Sequence, residues 1–226
     1  MAERPLRADA VQNRRRILAA ARDVFIEHGP AAPLDEVARR AGTGIATLYR
    51  RFPDRQELIR AVVVDALEEA VAVMRSAAAE EPDPFAVLRR YVHGALDSRV
   101  AAVLPALLDA IPTDDPEMAA GSTTGAALLE EMVRAAHEAG RLRPDVSVAD
   151  IGTLVVRLSR PLPGNVAPQV DVELAHRHAD LVFDGLHAGA DPTTPLAGAA
   201  MSFPELRRAA DRKADKTPNN NAEPPG

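Results

Sequence analysis

With 226 residues, 46% of them hydrophobic and 27% charged, the chain has the size and composition of one or two folded domains, which excludes a fibrous protein and one disordered throughout. The absence of cysteine excludes disulfides, thiolate nucleophiles, iron–sulfur clusters and cysteine-bound zinc. The net charge of −6 conceals an asymmetry: residues 1–60 carry 12 Arg against 8 acidic side chains, a net +4, whereas the remainder carries −10. A basic head on an acidic body points either to a polyanion-binding unit or to an ordinary solvated arginine face. The charged N-terminus and the lack of an apolar run of about 18 residues predict no secretory signal, no membrane span and a cytoplasmic location.

In chain order, Asp9 and Gln12 have the spacing of a capping box, predicting a first helix that starts near Ala10 and ends at Gly29, with Ile17, Ala21, Val24 and Phe25 on one face. Leu34, Val37, Ala38 and Ala41 follow the i, i+3, i+4, i+7 pattern of a short second helix, with Pro33 in its first turn and Gly42 closing it. Gly44 to Phe52 leaves room for about two turns of a third helix before Pro53. Asp54 and Glu57 form a second capping box, opening a long fourth helix to about Ala79 that bears Leu58, Ile59, Val62, Ala66, Val71 and Met74.

Proline in a helix interior costs about 3 kcal/mol, so the proline-free stretches 54–81, 85–104, 117–143, 145–160 and 169–191 mark where further helices can run. Leu128, Leu129, Met132, Val133 and Ala136 show helical spacing within the third of these, and no strand pattern stands out, so the fold class is all-α. From Gly189 onward the chain holds six of the 19 prolines and the Asn219 to Asn221 run, which predicts a disordered tail at 189–226. A short helix around Phe203, Leu206, Arg207 and Arg208 is the alternative there.

Two short helices joined through a glycine turn and braced by a longer one make a helix-turn-helix, which presents its second helix to the DNA major groove. The runs Arg16-Ile17-Leu18-Ala19-Ala20-Ala21, Phe25-Ile26-Glu27-His28-Gly29, Leu34-Asp35-Glu36-Val37-Ala38-Arg39-Arg40-Ala41-Gly42 and Thr47-Leu48-Tyr49-Arg50-Arg51-Phe52-Pro53-Asp54-Arg55-Gln56-Glu57-Leu58 carry a further likeness. Over roughly residues 11–60 the chain resembles the DNA-binding domain of TetR-family transcriptional regulators.

The resemblance implies that Ile45, Ala46 and Thr47 face base edges, that Tyr49, Arg50, Arg51 and Arg55 meet phosphates or bases, and that Leu48 and Phe52 are core. Arg14 and Arg15 either touch the DNA backbone or form a solvated face. Gly44 and Ile45 depart from the family pattern, in which a serine and a basic residue are frequent, so Ile45 could offer only apolar contact to a thymine methyl. Its spacing with Leu48 and Phe52 equally fits a core position. Ala32 and Pro33 likewise replace hydroxyl residues often found before the second helix.

The resemblance also implies an N-terminal three-helix DNA-binding domain at 10–55 and a helical ligand-binding and dimerisation domain at 56–188. Gly140-Arg141-Leu142-Arg143-Pro144-Asp145 resembles the family's turn before its penultimate long helix, here carrying Ile151, Leu154, Val155 and Leu158. A last helix from about Val172 to Ala188 carries Leu174, Leu181, Val182, Phe183 and Leu186. These two helices imply a homodimer through residues about 145–188, which would read half-sites of a palindromic double-stranded DNA operator.

Candidate residues for an apolar cavity holding an unidentified small-molecule ligand are Met74, Leu88, Tyr91, His93, Leu104, Met118, Met132 and Arg157, each equally readable as ordinary core or surface. His176 and His178, two apart on a helix, splay to different faces and are not expected to share a metal, and His137 offers no site. With no Walker loop, GxGxxG, HExxH or GxSxG, neither catalytic residues nor a cofactor are expected. The favoured reading is a DNA-binding repressor released by a ligand; the alternatives are a helical enzyme or an interaction protein that uses the same apolar body without DNA.

Overall fold

The computed structural model describes residues 3–107, 110, 115–163 and 166–188, together with 196, 202, 204 and 205. Among these the chain forms the helices α1 (Glu3–His28), α2 (Leu34–Arg40), α3 (Ile45–Arg51), α4 (Arg55–Glu80), α5 (Pro84–Asp97), α6 (Val100–Leu107), α7 (Pro116–Glu138), α8 (Val148–Leu158) and α9 (Pro168–Leu186). Expected disorder over 189–226 and the alternative helix near Phe203 and Leu206 fall almost wholly outside the described residues.

The helix ends follow local chemistry. Gly29, Gly42 and Gly140 adopt φ of +77°, +63° and +63°, left-handed values that stop α1, α2 and α7 without a Cβ clash. Asp54, Asp83 and Asp115 accept amide hydrogens at the starts of α4, α5 and α7, and Ser147 and Asp150 cap α8 reciprocally. Pro84, Pro116 and Pro168 each sit in a first turn, where a missing N–H costs nothing. For that same reason α1 begins at Glu3 with Pro5 in its opening turn, so Asp9 lies inside the helix and is not the cap its spacing with Gln12 predicts.

One further expectation is corrected. The stretch 85–104 breaks at Ser98 and Arg99, where Arg99 turns left-handed at φ +54°, and α6 then runs on through position 105. No strand forms among the described residues, yet Leu142 and His187 make a single antiparallel bridge. Its amides, Arg143 donating to Leu186 at 3.0 Å and Ala188 to Arg141 at 2.8 Å, tie the turn before α8 to the end of α9.

In the head, Ile17, Ala21, Val24 and Phe25 of α1 meet Leu34, Val37 and Ala38 of α2, Leu48 of α3, Phe52, and Leu58, Ile59 and Val62 of α4, all buried. Each large side chain so buried contributes roughly 1.5–3 kcal/mol. α4 continues into the body and packs on α5, α6 and α7, while α9 lies against α5. Phe85 and Phe183 meet edge to face at 5.5 Å where α5 crosses α9. No described helix is long and apolar enough to cross a membrane.

Head and body are also joined by charge. Arg22 of α1 donates to the Ser98 carbonyl at 3.1 Å and pairs with Asp65 at 2.9 Å and Glu69 at 2.6 Å, so one guanidinium reaches α4 and the α5–α6 junction together. Arg60 of α4 pairs with Asp115 at 2.5 Å and Glu117 at 2.7 Å at the start of α7. The Asp115 carboxyl, held by the Met118 amide and then by Arg60, lies below the usual carboxylate range.

Candidate nucleic-acid interface and cavity

The turn between α2 and α3 is set by Gly42: the Gly42 amide donates to Arg39 at 3.2 Å and the Thr43 amide to Ala38 at 3.0 Å, closing the last carbonyls of α2. α3 then leaves in a new direction with Gly44 extended before it. Leu48 and Phe52 fix its inner face, and Ile45, half-buried, packs against the same core. Of the two readings of Ile45, the core contact is therefore the one formed, because its i, i+3, i+7 spacing with Leu48 and Phe52 puts all three on one side of the helix.

On the outer side Ala46, Tyr49, Arg50 and Arg51 are exposed, Tyr49 to 48% of its surface. Thr47 is half-buried, and its hydroxyl accepts from Arg50 Nη2 at 2.8 Å. Arg55 is not on this face as a free cation: half-buried, it donates through Nη1 to the carbonyls of Pro30 at 2.9 Å and Ala32 at 2.5 Å, holding the α1–α2 turn. Those carbonyls have no helix partner, which is why the guanidinium turns inward.

The head's arginines thus divide into two sets. Arg39 and Arg40 converge on Glu36 at 2.7 Å, and Arg40 reaches Glu27 on α1 at 2.6 Å, so their charge is largely neutralised within the head. Arg14 lies over the Phe52 ring at 5.1 Å and, with Arg15, Arg16, Arg50 and Arg51, remains exposed and without an acidic partner among the described residues. The basic excess counted from sequence is concentrated in this second set, on α1 and α3.

The Arg39 and Arg40 guanidiniums hold the Glu36 carboxyl down to about 2 from its ordinary 4.5. A depressed carboxyl stabilises the fold above its unfolded value and loses that contribution as pH falls through the folded one. The melting-temperature gap between the parent and Glu36→Gln is therefore expected to be full at neutral pH and to close between about pH 4.5 and 2, as followed by circular dichroism. A gap independent of pH would contradict this pairing.

Within the body, α4 to α8 line a cavity of about 250 Å³ that is partly open to solvent. Its walls are Ala66, Leu67, Ala70 and Met74 of α4, Tyr91 and Ala95 of α5, Val100, Ala101 and Leu104 of α6, Gly121, Ser122, Gly125, Ala126 and Leu129 of α7, and Gly152, Val155 and Val156 of α8.

Of the candidates, Met74, Tyr91 and Leu104 line this cavity and the other five do not. Leu88 and Met132 are buried in the core outside the lining, and Met118 packs on that core from α7. Arg157 is exposed. His93 turns toward α9, its Nδ1 2.6 Å from Nδ1 of His176 and its Nε2 3.0 Å from Asp180. His176 and His178 do face apart, since the former contacts His93 and Asp97 and the latter is exposed.

The candidates expected from the sequence are all large side chains, whereas the cavity is framed mostly by small residues. The signal for them is the recurrence of glycine and alanine on one helix face, Ala66 and Ala70 in α4 and Gly121 and Gly125 in α7, each four apart. An ideal Cβ on Gly121 would sit 3.1 Å from Leu67, whereas one on Gly125 would meet nothing within 4 Å. Gly121 therefore marks a close helix approach and Gly125 opens onto the void.

An α2–turn–α3 reading unit mounted on a helical body with an apolar cavity defines a class of DNA-binding regulator. The family described as bacterial regulatory proteins of the tetR family matches residues 17–62, and the C-terminal domain of SbtR-like transcriptional regulators matches residues 83–188. The chain is 37% identical over 133 residues to the HTH-type transcriptional repressor LfrR of Mycolicibacterium smegmatis, covering 56% of this chain and 67% of that one. The crystal structure of a TetR transcription regulatory protein from Mycobacterium vanbaalenii superposes with a TM-score of 0.58 at 32% identity, covering 81% of this chain and 99% of that one. That of LfrR in complex with proflavine gives 0.57 at 26% identity, covering 76% and 96%. The chain belongs to the TetR family and is a non-enzymatic helix-turn-helix transcriptional regulator.

Proposed function

We propose that the protein is a repressor that binds a palindromic operator as a homodimer and is released when a small molecule fills the α4–α8 cavity. The observation that carries this reading is α4 itself: Leu58, Ile59 and Val62 in its first turns belong to the head core, while Ala66, Leu67, Ala70 and Met74 form one wall of the cavity. A ligand that favours one position of α4 therefore biases the orientation of α3, which is the coupling that allostery requires. The likeness to the repressor LfrR supports the sign of the response.

Dimerisation through residues about 145–188 is supported by apolar side chains left in water: Leu181 is 59% exposed on α9, joined by Val170 and by Leu162 and Val166 before it. A two-fold pair would set its α3 helices on half-sites one turn apart or a multiple, about 34–36 Å for one turn. In this reading the head spans residues 10–55, the body 56–188, and Ala46, Thr47, Tyr49, Arg50 and Arg51 face the DNA. Arg55 positions the head, and the operator requires a cytoplasmic protein.

Selection of random duplexes by the purified protein tests the reading, with a palindromic consensus as the expected result. On that consensus, Tyr49→Ala is expected to weaken matched and scrambled DNA alike by about tenfold, and Thr47→Ala to lower the preference between them. Failure to enrich any motif from folded dimer would remove operator recognition from this reading.

A further inference from the structure

We propose that the cavity's effector is an electrically neutral, mainly apolar molecule of about two fused rings that accepts one hydrogen bond from the Tyr91 hydroxyl. This rests on the reading of the cavity as the effector site, and it names the chemistry admitted there.

The first ground is charge. No Asp, Glu, Lys, Arg or His contributes to the lining, whose polar side chains are those of Tyr91 and Ser122. An ammonium or carboxylate buried against this lining would lose hydration without gaining a counter-ion, a cost that a neutral molecule avoids.

The second ground is Tyr91. It is 6% exposed, lines the void and has no hydrogen-bond partner among the described residues. Burial alone pushes its phenol up to about 12, with no contribution from a charged neighbour of either sign. The hydroxyl is therefore a neutral donor across the physiological range, set in an apolar wall with its donor capacity not taken up by another described side chain. A carbonyl or ether oxygen on the ligand supplies what it lacks.

Volume sets the size. An apolar cavity of about 150 Å³ accommodates benzene, so one of about 250 Å³ admits a molecule larger by roughly a second ring. Gly125 borders that space, and a Cβ there would meet nothing within 4 Å, so a large side chain at this position is expected to take up part of it.

The test uses the full-length protein and four probes on one ring system, 2-acetylnaphthalene, naphthalene, 2-naphthoate and 2-naphthylmethylammonium, with dissociation constants from calorimetry. The ketone is expected to bind at least tenfold tighter than either ion. Tyr91→Phe is expected to weaken the ketone about tenfold and leave naphthalene unchanged. Gly125→Leu, checked for its fold by circular dichroism, is expected to weaken both. Binding of either ion within threefold of the ketone, equal losses for ketone and naphthalene in Tyr91→Phe, or no binding by any probe would each overturn the proposal. Operator affinity measured with and without the ketone separates the two readings. Binding by this pattern with unchanged operator affinity leaves the ligand class standing and removes the effector role.

Discussion

Replacing Arg50 and Arg51 together by alanine is expected to lower affinity for duplex DNA roughly a hundredfold and to reduce the log–log salt slope by close to two units. Both side chains are exposed on the outer face of α3, and neither has an acidic partner among the described residues, so their charge is available to phosphates or base edges. Each neutralised phosphate contributes a slope of about −0.9, which is why the salt dependence reports the contact more directly than the affinity does. Arg39→Ala is the matched control. Its guanidinium already pairs with Glu36 at 2.7 Å, so its removal should leave the slope unchanged. Anisotropy titrations between about 50 and 200 mM salt distinguish the two. An unaltered slope in the double variant would place the contact surface elsewhere on the head.

The largest loss of stability is expected from Phe183→Ala, about 3–5 kcal/mol by urea unfolding. Phe183 is fully buried, meets Phe85 edge to face at 5.5 Å and anchors α9 to α5. Truncation leaves a ring-sized void where two rigid helices cross, and the surrounding side chains cannot collapse into it fully. Because α9 carries the exposed Leu181 and Val170, loosening its anchor should also weaken self-association in sedimentation at micromolar protein. A loss below about 1 kcal/mol would mean that α9 is held mainly by other contacts, such as the Arg143 and Ala188 amides bonded across the Leu142–His187 bridge.

Whatever depends on a few neighbouring residues was legible before the structure. Gly29, Gly42 and Gly140 stop helices because only a residue without Cβ turns left-handed there at little cost, and Asp54 starts α4 because its carboxylate reaches an amide three residues on. The buried faces of α1, α2 and α4 follow from apolar spacing alone. The sequence by itself thereby determined the all-α class, the helix-turn-helix and the family. Asp9 shows the limit of such local signals: its cap spacing went unused because the helix had already begun at Glu3.

The tertiary structure alone decided where side chains from distant helices converge. Arg55 reads as a phosphate contact until the carbonyls of Pro30 and Ala32 arrive beside it, and His93 reads as a cavity residue until α9 brings His176 and Asp180 to it. The cavity is the clearest case. Alanine and glycine are compatible with any helix, and they line a void only where Ala66 and Ala70, Gly121 and Gly125, and Gly152 are turned toward one another from three helices. A void is a property of the space between elements, and its volume is set by helix separation and crossing angle, which no local pattern encodes.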